Sequence, residues 1–144
     1  DFTINALYLS PSGKLYDYFS GLEDLMNGHV KFIGDINKRI QEDHLRVFRY
    51  FRFLGNFEEL NVLQEYESVL LKHIPNLKKY ISFEEMRKEF LKMIKNHFPI
   101  HSFRDFHIKE EKNFLVKQVN KWWHEENYVL GIEKCMNKIN SFFN

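Results

Sequence analysis

Apolar and polar positions alternate along the first third of the chain with the period of two that an extended strand requires. Phe2, Ile4, Ala6 and Tyr8 fall on one side of this alternation, and Thr3, Asn5, Leu7 and Leu9 on the other. The pattern predicts a strand over 2–10, a turn at Pro11, Ser12 and Gly13, and a second strand over 14–19, which together make a hairpin. The stretch SGLEDLMNG reads next as one short helix, with Ser20 as its cap and Gly28 as its stop. A brief apolar alternation over 29–33 ends at Gly34 and Asp35.

From Asp35 onward the period changes to that of a helix. No glycine occurs between Gly55 and Gly131, and helices are predicted near 36–56, 58–73, 82–97, 108–127 and 129–142. Pro75 and Pro99 mark breaks, because proline disfavours helical geometry at the residue before it. Ser82 followed three residues later by Glu85 has the spacing of a capping box. The expected class is mainly α with a small β remnant: a short hairpin followed by an all-helical bundle, which the resemblance described below makes a neck and body. The composition shift places a boundary near Gly34, between 1–34 and a helical remainder, which the fading of the resemblance described below divides further into 35–97 and 98–144.

Composition narrows the picture further. At 144 residues and 44% apolar content the chain can bury a core of one ordinary domain. No apolar run approaches the ~20 residues of a membrane span, so no membrane partner is expected. The single cysteine, Cys135, excludes an internal disulfide framework and fits a reducing cytosol, hence a cytoplasmic location. A net charge of +1 means that bulk electrostatics do not announce a nucleic-acid binder, so the distribution of charge matters more than its sum.

The stretch most charged with chemistry is GDINKRIQEDHLRVFRYFRFLG, residues 34–55. On one continuous helix Ile40, Val47, Phe51 and Leu54 share a face that should pack inward. Arg39, Glu42, Asp43 and Arg46 fall together on another, with Asp43 and Arg46 as neighbours three residues apart. A solvated, salt-bridged helix surface explains such a face. A chemical alternative explains it as well. A carboxylate accepts hydrogen bonds and a guanidinium only donates them. Side by side they match the amine donor and ring-nitrogen acceptor that cytosine and adenine both present. Guanine and uracil offer a carbonyl and an N–H at those positions, leaving buried groups unpaired or opposed.

Three ordered motifs carry a resemblance: DFTINALYL at 1–9, YDYFSGLEDL at 16–25 and FIGDINKRIQEDHLRVFRYFRF at 32–53. They resemble the bacterial tRNA nucleotidyltransferases (CCA-adding enzymes) and the related poly(A) polymerases. The resemblance implies that residues 1–34 end a nucleotidyltransferase head and that 35–97 form a helical neck carrying a nucleotide-template helix. It also implies that Asp1 reads a ribose, and that Asp43 and Arg46 select the incoming base with Glu42 in support. Arg39 and Arg49 flank that pocket, and Asp17, Gly21 and Asp24 form a hinge-like support. Ser82, Glu84 and Glu89 partly match a family helix that stiffens the template, and Arg52 fits either a neck ion pair or a phosphate contact.

The same resemblance implies CTP and ATP as nucleotides, a tRNA or other RNA 3′ end as partner, and Mg2+ as the cofactor of the intact family member. The family's GG…DxD metal motif does not occur in the 144 residues, so no catalytic and no metal-binding residue is assigned. The expectation is a fragment that is inactive alone. Its alternatives are a poly(A) polymerase fragment, a non-catalytic RNA-binding product paired with a separately encoded head, and a degenerate remnant. Beyond residue 97 the resemblance fades. There Phe114, Lys117, Lys121, Trp122 and Trp123 fit either an aromatic core or a basic aromatic RNA surface.

Overall fold

A computed structural model describes residues 1–103 of the chain. The helices predicted at 108–127 and 129–142, Cys135 and the aromatic-basic stretch 114–123 lie outside the described residues. Within them the fold is mainly helical with one small hairpin, as the patterning predicts. Strand β1 (Leu7–Leu9) pairs antiparallel with β2 (Leu15–Asp17), in the register Leu7 to Asp17, Tyr8 to Tyr16 and Leu9 to Leu15.

The strand expected over 2–10 is only partly formed. Phe2 makes an isolated bridge to Phe32, and Thr3–Asn5 coil into a 3-10 turn closed by Asn5 N–H to the Phe2 carbonyl and Ala6 N–H to that of Thr3. The reason is a buried polar group. Thr3 is enclosed, and its hydroxyl donates to Asp24 Oδ2 at 2.7 Å. A satisfied buried hydroxyl outweighs the alternation, because an orphaned one costs more than a strand bond yields.

Helix α1 (Gly21–Met26) is capped by Asp17, not by Ser20. Ser20 sits at φ 57° and its side chain bonds nothing in the cap. Instead Asp17 reaches back from β2, accepting from Gly21 N–H at 2.8 Å through Oδ1 and from Leu22 N–H at 3.0 Å through Oδ2. Gly21 itself lies so close to the N-terminal turn that a Cβ there would stand 2.2 Å from the Thr3 carbonyl oxygen.

The helix expected over 36–56 is two helices, α2 (Ile36–Glu42) and α3 (Leu45–Leu54), with Asp43 extended between them at φ −154°, ψ 102°. Helix α4 (Gln64–His73) starts later than the expected residue 58. The preceding loop turns its hydrogen bonds outward: Asn61 N–H and Nδ2 donate to the carbonyls of Gly28 and Asn27. Pro75 lies in the first turn of a 3-10 segment, Ile74–Lys79, where a missing N–H costs nothing. Helix α5 (Phe83–Ile94) opens on the predicted capping box, with Ser82 and Glu85 each serving the other's backbone N–H. A last short helix, α6, covers Pro99–Phe103.

One apolar cluster unites these elements. The predicted inward face holds: Ile40, Val47, Phe51 and Leu54 are all buried, although Ile40 reaches the core from α2 and the others from α3. The N-terminal segment belongs to the same cluster, since Phe2 packs against Phe32 (4.8 Å between ring centroids) and edge-on to Phe53 (5.2 Å). The hairpin does not share this shelter. Tyr8 and Tyr18 on one side and Leu9 and Leu15 on the other remain exposed.

Two measurements check this account. Gly21→Ala drives a methyl into backbone that cannot give way, and its urea midpoint should correspond to a loss of at least about 1–3 kcal/mol. The backbone hydrogen bonds from Leu22 and Gly21 hold the Asp17 carboxyl below its usual range. A group with a depressed folded pKa stabilises above its unfolded value and loses that contribution as pH falls through the folded one. Asp17→Asn should therefore be less stable than the parent at pH 7, and the difference should shrink as pH drops below about 4.

Candidate functional site

The break at Asp43 is held locally. Asp43 Oδ1 accepts from Leu45 N–H at 3.0 Å, and the Asp43 carbonyl accepts from Arg46 N–H at 3.2 Å. A short polar side chain that bonds backbone two residues on competes with helix continuation, and here it wins. Asp43 and Arg46 consequently do not lie side by side on one helical face. They flank a corner, with Asp43 on the extended residue and Arg46 in the first turn of α3.

Arg46 is the most heavily engaged side chain of the region and is only 13% exposed. Its Nε donates to Asp1 Oδ1 at 3.0 Å, and its Nη1 donates to the Arg39 carbonyl at 2.7 Å and to Glu42 Oε2 at 2.8 Å. Arg49, one turn further along α3, brings Nη2 within 2.5 Å of Asp1 Oδ2. Arg39 pairs with Glu42 from the same helix. Asp1 is placed by the bond from Ile33 N–H to its carbonyl, 3.1 Å, beside the Phe2 to Phe32 bridge.

Asp1, Arg39, Glu42, Arg46 and Arg49 thus converge from three parts of the chain. Three guanidiniums face two carboxylates, so the cluster keeps a net positive charge. The Arg46 hydrogen bond, and then the charge of Arg39, hold the Glu42 carboxyl below its ordinary range despite partial desolvation. The Nε groups of Arg39 and Arg49 are buried and find no acceptor among the described residues. Such a site has donor capacity to spare for an anionic or acceptor-rich ligand. It does not suit a metal cation: its carboxylates are already taken by guanidiniums. Among the described residues no three His, Cys, Asp or Glu side chains gather to ligate a metal ion.

Asp17, Gly21 and Asp24 lie apart from this cluster, at the start of α1 and against the turn at Thr3. Asp24 is buried, receives the Thr3 hydroxyl and pairs with Lys31 Nζ at 2.5 Å. It thereby fixes both chain segments that bring Asp1 to the arginines. On the far side of α3, Arg52 Nη1 lies 3.1 Å from buried Glu89, which also takes Lys92 Nζ at 2.7 Å. Arg52 is therefore a strut between α3 and α5, the ion-pair alternative of the two that its position allowed.

Residues 1–31 match the family described as Poly A polymerase head domain. The mitochondrial CCA tRNA nucleotidyltransferase 1 of Danio rerio is 58% identical over 55 residues, 38% of this chain and 13% of that protein. The CCA-adding enzyme of Lactobacillus helveticus is 42% identical over 93 residues, 65% of this chain and 23% of that protein. The crystal structure of the Bacillus stearothermophilus CCA-adding enzyme in complex with CTP superposes with a TM-score of 0.65 at 29% identity, covering 72% of this chain and 26% of that one. This chain is homologous to part of the CCA-adding enzyme and poly(A) polymerase family. It spans about an eighth to a quarter of the length of these relatives.

What the family motifs alone do not reveal is the ring contact at the break. His44 lies face to face with Tyr80, 3.8 Å between centroids, and edge-on to His73 at 6.1 Å. Nothing in the spacing of His44 and Tyr80 announces that they meet.

The convergence on Asp1 carries a stability consequence. Arg46→Lys keeps the charge but cannot serve Asp1, Glu42 and the Arg39 carbonyl from one ammonium. It should cost about 1.5–3 kcal/mol in denaturant unfolding, while Arg39→Lys, at a position 28% exposed and with a local partner, should cost less.

Proposed function

We propose that this chain supplies the base-selecting part of a CCA-adding nucleotidyltransferase acting in tRNA 3′-end processing, with CTP and ATP as its nucleotides and an RNA 3′ end as its partner. The observation that carries the reading is how Arg46 and Asp43 are tethered. Arg46 is pinned through Nε and Nη1, and Nη2 takes no partner among the described residues. Asp43 is pinned through Oδ1, and Oδ2 takes none. One fixed donor and one fixed acceptor therefore remain beside the same backbone corner. That is the complement of the amine and ring nitrogen shared by cytosine and adenine, and a mismatch for guanine and uracil.

In this reading Asp1 contributes a carboxylate at the ribose side, and Arg49 and Arg39 supply positive charge where a triphosphate would approach. Glu42 orients Arg46 and Arg39. Asp17, Gly21 and Asp24 hold the wall that carries Asp1. The described residues do not fit Mg2+, and no chemical step through a metal is assigned to them. A second reading, poly(A) addition, is favoured by the family matched at residues 1–31, since a pocket for adenine alone needs the same donor and acceptor.

Calorimetric titration with CTP, ATP, GTP and UTP tests the proposal. CTP and ATP should bind at least about tenfold more tightly than GTP and UTP, and Asp43→Ala and Arg46→Ala should each erase the difference. Equal binding of all four nucleotides, unchanged in either variant, would sink the template assignment. Selectivity for ATP over CTP would favour the poly(A) reading.

A further inference from the structure

An extended residue between two helices is held by one side-chain bond, Asp43 to Leu45, and that is weak support for a corner on which a donor and an acceptor must be kept in register. The residue immediately after it has a second anchor. The ring of His44 lies on that of Tyr80 at 3.8 Å and 11°, close to parallel, and against the edge of His73 at 6.1 Å and 69°. His73 in turn meets Asn37 of α2, with Nε2 2.7 Å from Oδ1. A carbonyl oxygen only accepts, so Nε2 carries the proton. The helices on both sides of the break are in this way tied to the same surface, α2 through Asn37 and α3 through His44.

Tyr80 is the unusual member. It is 63% exposed, so burial of its ring is not what places it there. Its backbone is nevertheless fixed. Tyr80 and Ile81 N–H both donate to the Leu77 carbonyl, Leu77 and Ile81 are buried on either side, and the α5 capping box begins at Ser82. A rigid stem thus holds an exposed aromatic ring flat against the residue next to Asp43. Stacked rings contribute beyond the area they bury, and they do so only in a narrow geometry.

We propose that Tyr80 and His44 are positioning residues for base selection: their stack fixes the Asp43 corner, and with it the angle between the Asp43 carboxylate and the Arg46 guanidinium. The assignment rests on the base-template reading above. It adds Tyr80, which lies outside the three motifs at 1–53 and just before the partly matched helix that begins after Ser82, to the determinants of nucleotide choice.

Hydrogen exchange and nucleotide titration on the full chain test it together. In Tyr80→Ala the amides of Leu45 and Arg46, which bond to Asp43, should exchange about five- to tenfold faster, while amides within α5 keep their rates. The preference for CTP and ATP over GTP and UTP should fall by a similar factor, and Tyr80→Phe should restore both, because the tyrosine hydroxyl has no partner in the stack. Unchanged exchange at Leu45 and Arg46 would overturn the proposal. So would faster exchange with unchanged selectivity, which reduces the stack to a structural contact. If Arg46→Ala also leaves selectivity untouched, the template reading is what has failed, and the exchange arm separates that result from a failure of the stack.

Discussion

Burying the Arg46 guanidinium demands acceptors from three directions, and the local architecture is arranged to provide them. A charged group removed from water destabilises the fold unless it is both paired and hydrogen-bonded. Asp1 supplies a carboxylate from the N-terminal segment, Glu42 a second from α2, and Arg39 a backbone carbonyl from the same helix. A continuous helix over 36–56 would keep every carbonyl within the helix engaged by its own N–H groups. Ending α2 at Glu42 frees the Arg39 carbonyl for Arg46, so the break and the buried charge are two sides of one arrangement.

Bringing Asp1 to that position requires the N-terminal segment to be welded to the helical part. Aromatic packing does this: Phe2, Phe32, Tyr50 and Tyr66 form a set of ring contacts between 4.8 and 6.4 Å. The Tyr66 hydroxyl accepts from Phe32 N–H at 3.0 Å, giving this buried backbone donor a partner that the bridge to Phe2 does not supply. Burial pushes the Tyr66 phenol upward, and that of Tyr50 further still, so both stay neutral and serve as packing groups at any physiological pH. Asp24 performs the matching polar task, holding Thr3 and Lys31 at once.

The hairpin follows a different logic. Tyr8, Tyr16 and Tyr18 line one side, with Lys14 Nζ 5.0 Å above the Tyr16 ring, and Leu9 and Leu15 lie on the other. A two-stranded sheet with apolar side chains on both faces is normally covered on both. The hairpin therefore takes little support from the core, whereas the arginine cluster is assembled within the described residues and keeps spare donors.

Much of this was legible from the amino-acid order. The helical period located the buried face of Ile40, Val47, Phe51 and Leu54, the Ser82 and Glu85 spacing marked a real cap, and the family motifs picked out Asp1, Arg39, Glu42, Arg46 and Arg49, which the fold does bring together. These features depend on neighbours within one or two turns, or on residue identity, and both are written into the chain directly. Periodicity could not show that α2 and α3 separate at Asp43, since the apolar repeat runs through the break and only a local side-chain bond, backed by contacts to distant residues, decides against it. Nor could it show Asp17 in place of Ser20 at the start of α1, Thr3 turned inward to Asp24, or Tyr80 laid on His44. Each of those is a contact between residues brought together by packing, where the need to satisfy a buried polar group or seat a ring overrides the preference of the segment that carries it.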